Sequence, residues 1–325
     1  MPKALITGGT GFIGSHLAEK LIEKGWTVFC LVRDPDRLRW LEPVRDRIHF
    51  IEGDINTVPD LPEVEYIFHL AGMVRAVKDK DYYSVNTGGV KNLYRKACRV
   101  DSAKRFIFLS SLAAAGPSSR PEGRDEEEGN APVSEYGKSK LAAEEFLKNE
   151  KSLPWVILRP GAVYGPRDRD VFKVFRMAAR GWFFMPGREE RMASFIYVAD
   201  LVNAIILAAE HPSAVFRTYL LAYPETVSWK SFAERIAGLA GKRLKTVPVP
   251  LPAVSLLCRI NSFLSLCTGR PLLLNSDKEK EMRPLCWTAR PEKFIIETGF
   301  KYEFSARRAV PATWDWYRRA GWLKD

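Results

Sequence analysis

The feature that most constrains this chain is a cluster of glycines between an apolar run and a helical one. Lys3-Ala-Leu-Ile-Thr7 is short and strand-like, and Gly8-Gly-Thr-Gly-Phe-Ile-Gly14 follows at once. In the next stretch Leu17, Leu21 and Ile22 recur at helical spacing, and Gly25 is a suitable stop. A strand, a glycine turn and a helix N-terminus in that order bring the backbone close to a pyrophosphate. The free N–H groups of the first helical turn and the positive end of the helix dipole then face it. Gly8, Thr10, Gly11, Phe12, Ile13 and Gly14 are therefore the expected dinucleotide-binding turn.

The second strand, Thr27-Val-Phe-Cys-Leu-Val32, narrows the choice of cofactor. A carboxylate commonly ends this strand where a free ribose 2′-hydroxyl is bound. Here Val32 holds that position and Arg33 follows. An arginine there can clamp a 2′-phosphate, so the sequence favours NADP(H). NAD(H) is the alternative, because Asp34 could still reach a ribose hydroxyl.

Short apolar strands alternate with helical stretches through the first half. Ile48-His-Phe-Ile51 leads to Asp54, and Glu65-Tyr-Ile-Phe-His-Leu70 leads to Ala71 and Gly72. A helix is expected from about Asn86 to Ala97, and Arg105-Phe-Ile-Phe-Leu109 runs into Ser110 and Ser111. This alternation predicts an α/β fold, a doubly wound parallel sheet that binds ligands at the carboxyl ends of its strands. The 325 residues are 46% hydrophobic with no unbroken apolar run long enough to span a bilayer. The five cysteines form no Cys-x-x-Cys pair, which argues for reduced thiols, a cytoplasmic setting and no metal centre. The net charge of +11 is dispersed among 39 acids, which argues against nucleic acid and for a bias toward anionic ligands.

Tyr136 and Lys140 are the candidate acid/base pair, and the same spacing also suits a surface helix with a partly buried Tyr. They lie in Ser134-Glu-Tyr-Gly-Lys-Ser-Lys-Leu, which reads as the opening of a helix, so the two side chains leave the same face. An ammonium beside a phenol favours the phenolate and lowers its pKa, which suits proton exchange with a substrate oxygen.

Taken together these motifs resemble the extended short-chain dehydrogenases/reductases, in the NAD-dependent epimerase/dehydratase family. The glycine turn, Gly53-Asp54, His69-Leu-Ala-Gly72, Asn86, Ser110-Ser111, Tyr136-x-x-x-Lys140 and Arg159-Pro-Gly-Ala-Val-Tyr-Gly-Pro166 come in the family's order. Phe195-Ile-Tyr-Val-Ala-Asp200 and Trp314-Asp-Trp-Tyr-Arg-Arg-Ala-Gly-Trp322 extend the match toward the C-terminus. The resemblance implies a Rossmann-type dinucleotide domain over 1–165, rejoined by 195–222, with a smaller substrate domain from 166–194 and 223–325. It implies that Tyr136 is the acid/base and that Lys140 binds the nicotinamide ribose. Ser111 would orient substrate, with Ser110 the second candidate. Asn86 would support Lys140 through a water, or simply cap its helix. Asp54, Ile55, Leu70, Ala71, Gly72, Pro160, Gly161 and Val163 would line the cofactor, and Met73, Leu112 and Arg167 would join Ser111 at the substrate. A homodimer through the helices near Asn86 and Tyr136 is also implied.

The family runs several reactions. Sugar 4,6-dehydratases carry an Asp-Glu pair after the serine, where this chain has Leu112-Ala113, so elimination is disfavoured. Ser110-Ser-Leu-Ala-Ala-Ala-Gly-Pro117 and Arg33-Asp-Pro are closer to the aldehyde/flavonoid reductase and 3β-hydroxysteroid dehydrogenase-like branch. The expected activity is NADP(H)-dependent hydride transfer to or from a carbonyl or secondary alcohol of an apolar small molecule. The alternatives are a nucleotide-sugar epimerase with tightly bound NAD(H), and a non-catalytic dinucleotide-binding protein. Arg124-Asp-Glu-Glu-Glu128 reads as a solvated loop, and the C-terminal tryptophans as packing. The apolar stretch 251–267 is expected as a helix packed in the small domain or lining a pocket, with an interfacial membrane helix as the other reading and no stable insertion.

Overall fold

The structure is a computed structural model that describes residues 1–272 and 274–323. Its strands are β1 (Lys3–Thr7), β2 (Thr27–Val32), β3 (Ile48–Glu52), β4 (Tyr66–His69), β5 (Arg105–Leu109), β6 (Trp155–Pro160), β7 (Ala162–Tyr164), β8 (Trp182–Pro186), β9 (Met192–Tyr197), β10 (Arg217–Leu221), β11 (Thr226–Ser228), β12 (Lys245–Val249) and β13 (Cys286–Trp287). The helices are α1 (Phe12–Glu23), α2 (Asp79–Tyr82), α3 (Gly89–Ala97), α4 (Leu112–Ala115), α5 (Glu135–Lys148), α6 (Phe172–Ala179), α7 (Val198–Glu210), α8 (Trp229–Leu239), α9 (Leu251–Thr268), α10 (Ser276–Met282), α11 (Glu292–Thr298) and α12 (Ala306–Arg319).

Seven strands form one parallel sheet in the order β10-β6-β5-β4-β1-β2-β3. Chain progression reverses beside β1, and at such a switch point the crevice at the strands' carboxyl ends opens. The central strands β5 and β6 are buried at every position, which explains their apolar runs at 106–109 and 155–158. Both faces of the sheet are covered, so alternation is not needed. Leu17 and Leu21 of α1 share one apolar cluster with Leu201 and Ile205 of α7. On the other face, Leu93 and Tyr94 of α3 join Ala143 and Leu147 of α5. Fully burying one such side chain contributes about 1.5–3 kcal/mol, so these two layers hold the sheet between them.

A smaller sheet pairs β11, β9 and β13, with β7 on β9, and β12 pairs with β8. β7 falls within residues 1–165 yet belongs to this smaller sheet, while β10 and α7 return to the large one. At the C-terminal end Tyr317 is fully buried and donates to the Gly165 and Asp168 carbonyls (3.1 and 3.0 Å). Trp316 and Trp322 pack around it and against Trp40.

Three local expectations are corrected. The helix expected from Asn86 begins at Asp79 and runs through a π turn, Tyr83–Gly88, into α3, so Asn86 is interior and caps nothing. Arg124 is buried, its guanidinium donating to the carbonyls of Ala115, Glu128 and Gly129, while Glu126 accepts from the Leu220 N–H (2.7 Å). The segment is pinned because a buried guanidinium must find acceptors, and main-chain carbonyls supply them. Finally, α9 packs against α10 along one narrow side only, where Val254, Cys258 and Ser265 are buried, while most of its leucines, Ile260 and Phe263 are exposed.

Candidate active site

The glycine turn is shaped by close approach. Gly8 has φ of +76°, and a Cβ on it would lie 2.7 Å from the Ala71 nitrogen, so only glycine lets the ends of β1 and β4 meet. A Cβ on Gly14 would fall 2.2 Å from the Gly8 carbonyl oxygen. The Thr7 hydroxyl joins the same two strand ends, bonding His69 Nδ1 at 2.7 Å and accepting from the Ala71 N–H at 3.3 Å. Gly11 precedes α1 without a side-chain cap, the first helical bond runs from Ser15 N–H to the Gly11 carbonyl, and no acid sits in the first turn. The N–H groups of Phe12, Ile13 and Gly14 therefore have no intrahelical acceptor and can receive an anion. Thr10 is half-buried in the same turn. These residues fit a dinucleotide's pyrophosphate.

At the end of β2, Arg33 is exposed and makes no hydrogen bond or ion pair among the described residues. Asp34 is committed to its own loop, accepting from the Asp36 N–H (3.0 Å) and pairing with Arg37 (3.1 Å). Asp54 likewise accepts from the Asn56 N–H at 2.8 Å. The Ile55 side chain is buried in the gap above Gly89, where a Cβ would come within 2.7 Å of it. Leu70 bonds the Thr7 carbonyl through its N–H, Gly161 bonds that of Leu221, and Pro160 and Val163 lie in β6 and β7.

Ser134 caps α5 by accepting from the Gly137 N–H at 3.0 Å, which fixes the phase of the turns carrying Tyr136 and Lys140. Ser111, at the end of β5, accepts from the Ala113 N–H (3.1 Å), and its hydroxyl favours the Tyr136 phenolate. Lys140 is buried, donates to the Leu109 carbonyl at 2.9 Å and lies 4.7 Å from the centre of the Phe108 ring. Ser111, Tyr136 and Lys140 thus converge at the carboxyl end of β5. The expected lowering of the phenol's pKa is not found. Burial pushes Tyr136 above its ordinary value, the Ser111 hydroxyl only partly opposes this, and Glu281 and Tyr82 add to the rise. Burial also pulls Lys140 down to about 8, with Glu144 acting in the other direction. Desolvation outweighs pairing because the ammonium is turned to a carbonyl.

The two adjacent serines have different partners. Ser110 donates to Glu144 at 2.5 Å, and Glu144 is bidentate with Arg159, both essentially solvent-free. Ser110 is thereby structural, and Ser111 is the one of the two whose hydroxyl bears on the phenol's pKa. Asn86 pairs its amide with the Met73 backbone (2.7 and 3.0 Å) and donates to Ser139 Oγ on α5 (2.9 Å). A Cβ on Gly72 would lie 3.1 Å from Lys140 Nζ and 3.2 Å from Asn86 Oδ1, so this glycine roofs both groups. Leu112 is buried with Leu220 and Ala222, a packing position and not the substrate contact expected of it. Arg167 also departs from expectation. Its guanidinium binds Ser15 (3.0 Å) and Glu19 (2.7 Å) on α1 and lies over Trp40.

Sequence reasoning missed Asp277 and Glu281 of α10. Asp277 accepts from the N–H groups of Glu135 (2.7 Å) and Tyr136 (3.1 Å), and Glu281 accepts from Ser134 Oγ (2.8 Å). A distant acid thus completes the cap of the helix that bears Tyr136, and no local spacing signals it. The arrangement can exchange a proton between the phenol and an oxygen held beside Ser111.

The chain is 28% identical to the ceramide reductase of Caulobacter vibrioides, over 98% of its own length and 95% of that protein's. It is 31% identical to a UDP-glucose 4-epimerase of Vibrio cholerae, covering 93% and 94%. Among solved structures it shares its fold with MoeE5, determined with UDP-glucuronic acid and NAD, at a TM-score of 0.77, 23% identity and coverage of 98% and 99%. Residues 4–222 match the NAD dependent epimerase/dehydratase family, and the chain therefore belongs to that family of extended short-chain dehydrogenases/reductases.

Proposed function

We propose that the protein is an NADP(H)-dependent oxidoreductase that interconverts a carbonyl and a secondary alcohol on an apolar small molecule. The observation that carries this reading is the convergence of Ser111, at the carboxyl end of β5, with Tyr136 and Lys140, which lie one turn apart on the same helix. When bound, the nicotinamide supplies or accepts the hydride. In reduction Tyr136 gives its proton to the carbonyl oxygen as hydride reaches the carbon, Ser111 holds that oxygen, and the phenolate regains a proton from water. Carbonyl, hydride and proton together balance to the alcohol. A phenol pushed above its ordinary pKa is fully protonated at neutral pH and so available as donor. Lys140 holds the nicotinamide ribose hydroxyls. Arg33 would hold the 2′-phosphate, since Asp34 is occupied elsewhere. The likeness to a ceramide reductase over nearly the whole chain supports an apolar substrate.

The likeness to a UDP-glucose 4-epimerase favours a second reading, in which the same three side chains act while NAD(H) stays bound. Purified protein separates the two: nicotinamide that survives gel filtration at one per chain overturns the reductase reading. With a turned-over carbonyl substrate, Tyr136→Phe is expected to lower kcat about 10²–10⁴-fold, and unchanged turnover overturns the assignment of Tyr136. Arg33→Ala should raise KM for NADPH about tenfold while leaving that for NADH near wild type, and equal effects would refute the phosphate role. A homodimer through residues 79–97 and α5 is part of the same proposal, and light scattering that finds only monomer removes it.

A further inference from the structure

Helix α9 is patterned the wrong way round for a water-soluble domain. The side it turns to the protein is narrow: only Val254, Cys258 and Ser265 are buried, and serines fasten it. Ser255 donates to Glu279 (2.5 Å), Ser262 bonds Ser276 (2.9 Å), and Ser265 accepts from the Leu272 N–H (3.1 Å). The side it turns outward carries Leu256, Leu257, Ile260, Phe263 and Leu264, with Leu256 at 60% and Phe263 at 66% exposure. Positions 256, 260, 263 and 264 fall on one face at helical spacing, so these side chains form a continuous apolar stripe. Nothing in the fold covers it among the described residues.

Charge identifies what does. From Arg235 to Ser276 the chain has six cations (Arg235, Lys242, Arg243, Lys245, Arg259 and Arg270) and no acid at all. Two of them belong to α9's own surroundings: Arg259 is exposed on the helix, and Arg270 is exposed just after its left-handed cap, Gly269. β12, which leads directly into α9, pairs with β8, where the exposed rings of Trp182 and Phe184 stack and Lys245 lies over Trp182. The acid nearest α9, Glu279, is turned inward at 12% exposure and already bonds Ser255 and Arg283. Apolar stripe, exposed aromatic rings and flanking cations are together the chemistry of a surface that enters a headgroup layer bearing negative charge. A second copy would bring like charges together around the stripe. A spanning geometry is also disfavoured, although α9 has 18 residues and a mean hydropathy of 1.4. Its inner face is fastened by serines to α10 and the residues beside it, and Arg259 interrupts its middle.

We propose that α9 lies in the surface of an anionic lipid bilayer and docks the protein there. Residues of α10 in turn hold α5 at Glu135 and Tyr136, so the docked helix is one element away from the candidate site. If the substrate is apolar, as read above, the bilayer is a direct source of it, but the docking stands on the surface alone. The test is flotation of purified protein with vesicles of phosphatidylcholine, with or without phosphatidylglycerol. Wild type should float with the anionic vesicles, and roughly tenfold less with neutral vesicles or in high salt. The triple variant Leu256→Ser, Ile260→Ser, Phe263→Ser should stay unbound while its melting temperature and gel-filtration volume match wild type, because the three side chains are exposed. Wild type failing to float with anionic vesicles overturns the proposal, and so does the variant floating as well as wild type. A variant that changes from dimer to monomer assigns the stripe to a second copy and overturns it too. No turnover is measured, so the outcome is independent of the reaction.

Discussion

Lys140 donates to a carbonyl and lies against an aromatic face, and burial holds its pKa near 8, well under the 10.5 of a free lysine. The sign of the consequence follows from that depression. The cation is disfavoured in the fold, so a cost of up to about 3 kcal/mol is present below pH 8 and is relieved as pH rises from 8 toward 10.5. Activity should move the opposite way. If the ammonium holds the ribose, kcat/KM for reduction falls as pH rises through about 8. Tyr136, pushed upward, remains protonated there and does not produce that limb. Lys140→Arg keeps the charge at every accessible pH and should move the alkaline limb upward, whatever it does to the absolute rate. A pH–rate profile with the limb unchanged in this variant would show that Lys140 is not its source. The pairing of Tyr136 with Lys140 was legible in their four-residue spacing. The direction of the phenol's shift was not, because it depends on how much water the fold removes and on where the ammonium points.

At the scale of elements, α5 is a precisely seated rod whose N-terminus is held from across the chain. Ser134, Asp277 and Glu281 together satisfy or orient the groups of its first turn. Asp277→Ala should cost about 1–2 kcal/mol in a denaturant titration, as loss of a charged cap does. It should also lower kcat while leaving NADPH affinity near wild type, because it unseats Tyr136 and not the glycine turn. Asp277→Asn, which keeps an acceptor oxygen, should recover part of both. Further along α5, Glu144 holds Arg159 and Ser110 in a site without solvent. Glu144→Gln should destabilise the protein by about 3–5 kcal/mol, read as a lower denaturation midpoint, because it leaves a buried guanidinium uncompensated. Ser134 could be read from the sequence as a cap because its partner is three residues away. Asp277 could not, since its partners lie more than 140 positions earlier, and the π turn at Tyr83–Gly88 likewise left Asn86 looking like a helix start.

For the whole molecule, the acid limit of stability should be set in part by His69. It is fully buried, stacked on Phe108, and burial drives its pKa from 6.5 down to about 3. The unfolded chain therefore takes up a proton between those values and the fold does not. Stability falls as pH drops from about 6.5 to about 3, by up to about 5 kcal/mol. His69→Gln, which can still bond Thr7, should flatten that slope in unfolding measurements at a series of pH values. The parallel sheet was readable because its strands are apolar runs ending in glycine or polar residues such as Gly8, Gly72 and Ser110. The second sheet was not, since β7, β11 and β13 are two or three residues long and are specified by partners remote in sequence. The packing of α1 against α7 also has a consequence for synthesis. Leu17 and Leu21 leave the ribosome early, yet Leu201 and Ile205, which cover them, follow almost two hundred residues later. Until then one side of the growing sheet has no lid, and the nascent chain carries an adhesive surface that a chaperone, or the exit tunnel's crowding, must keep apart from its neighbours.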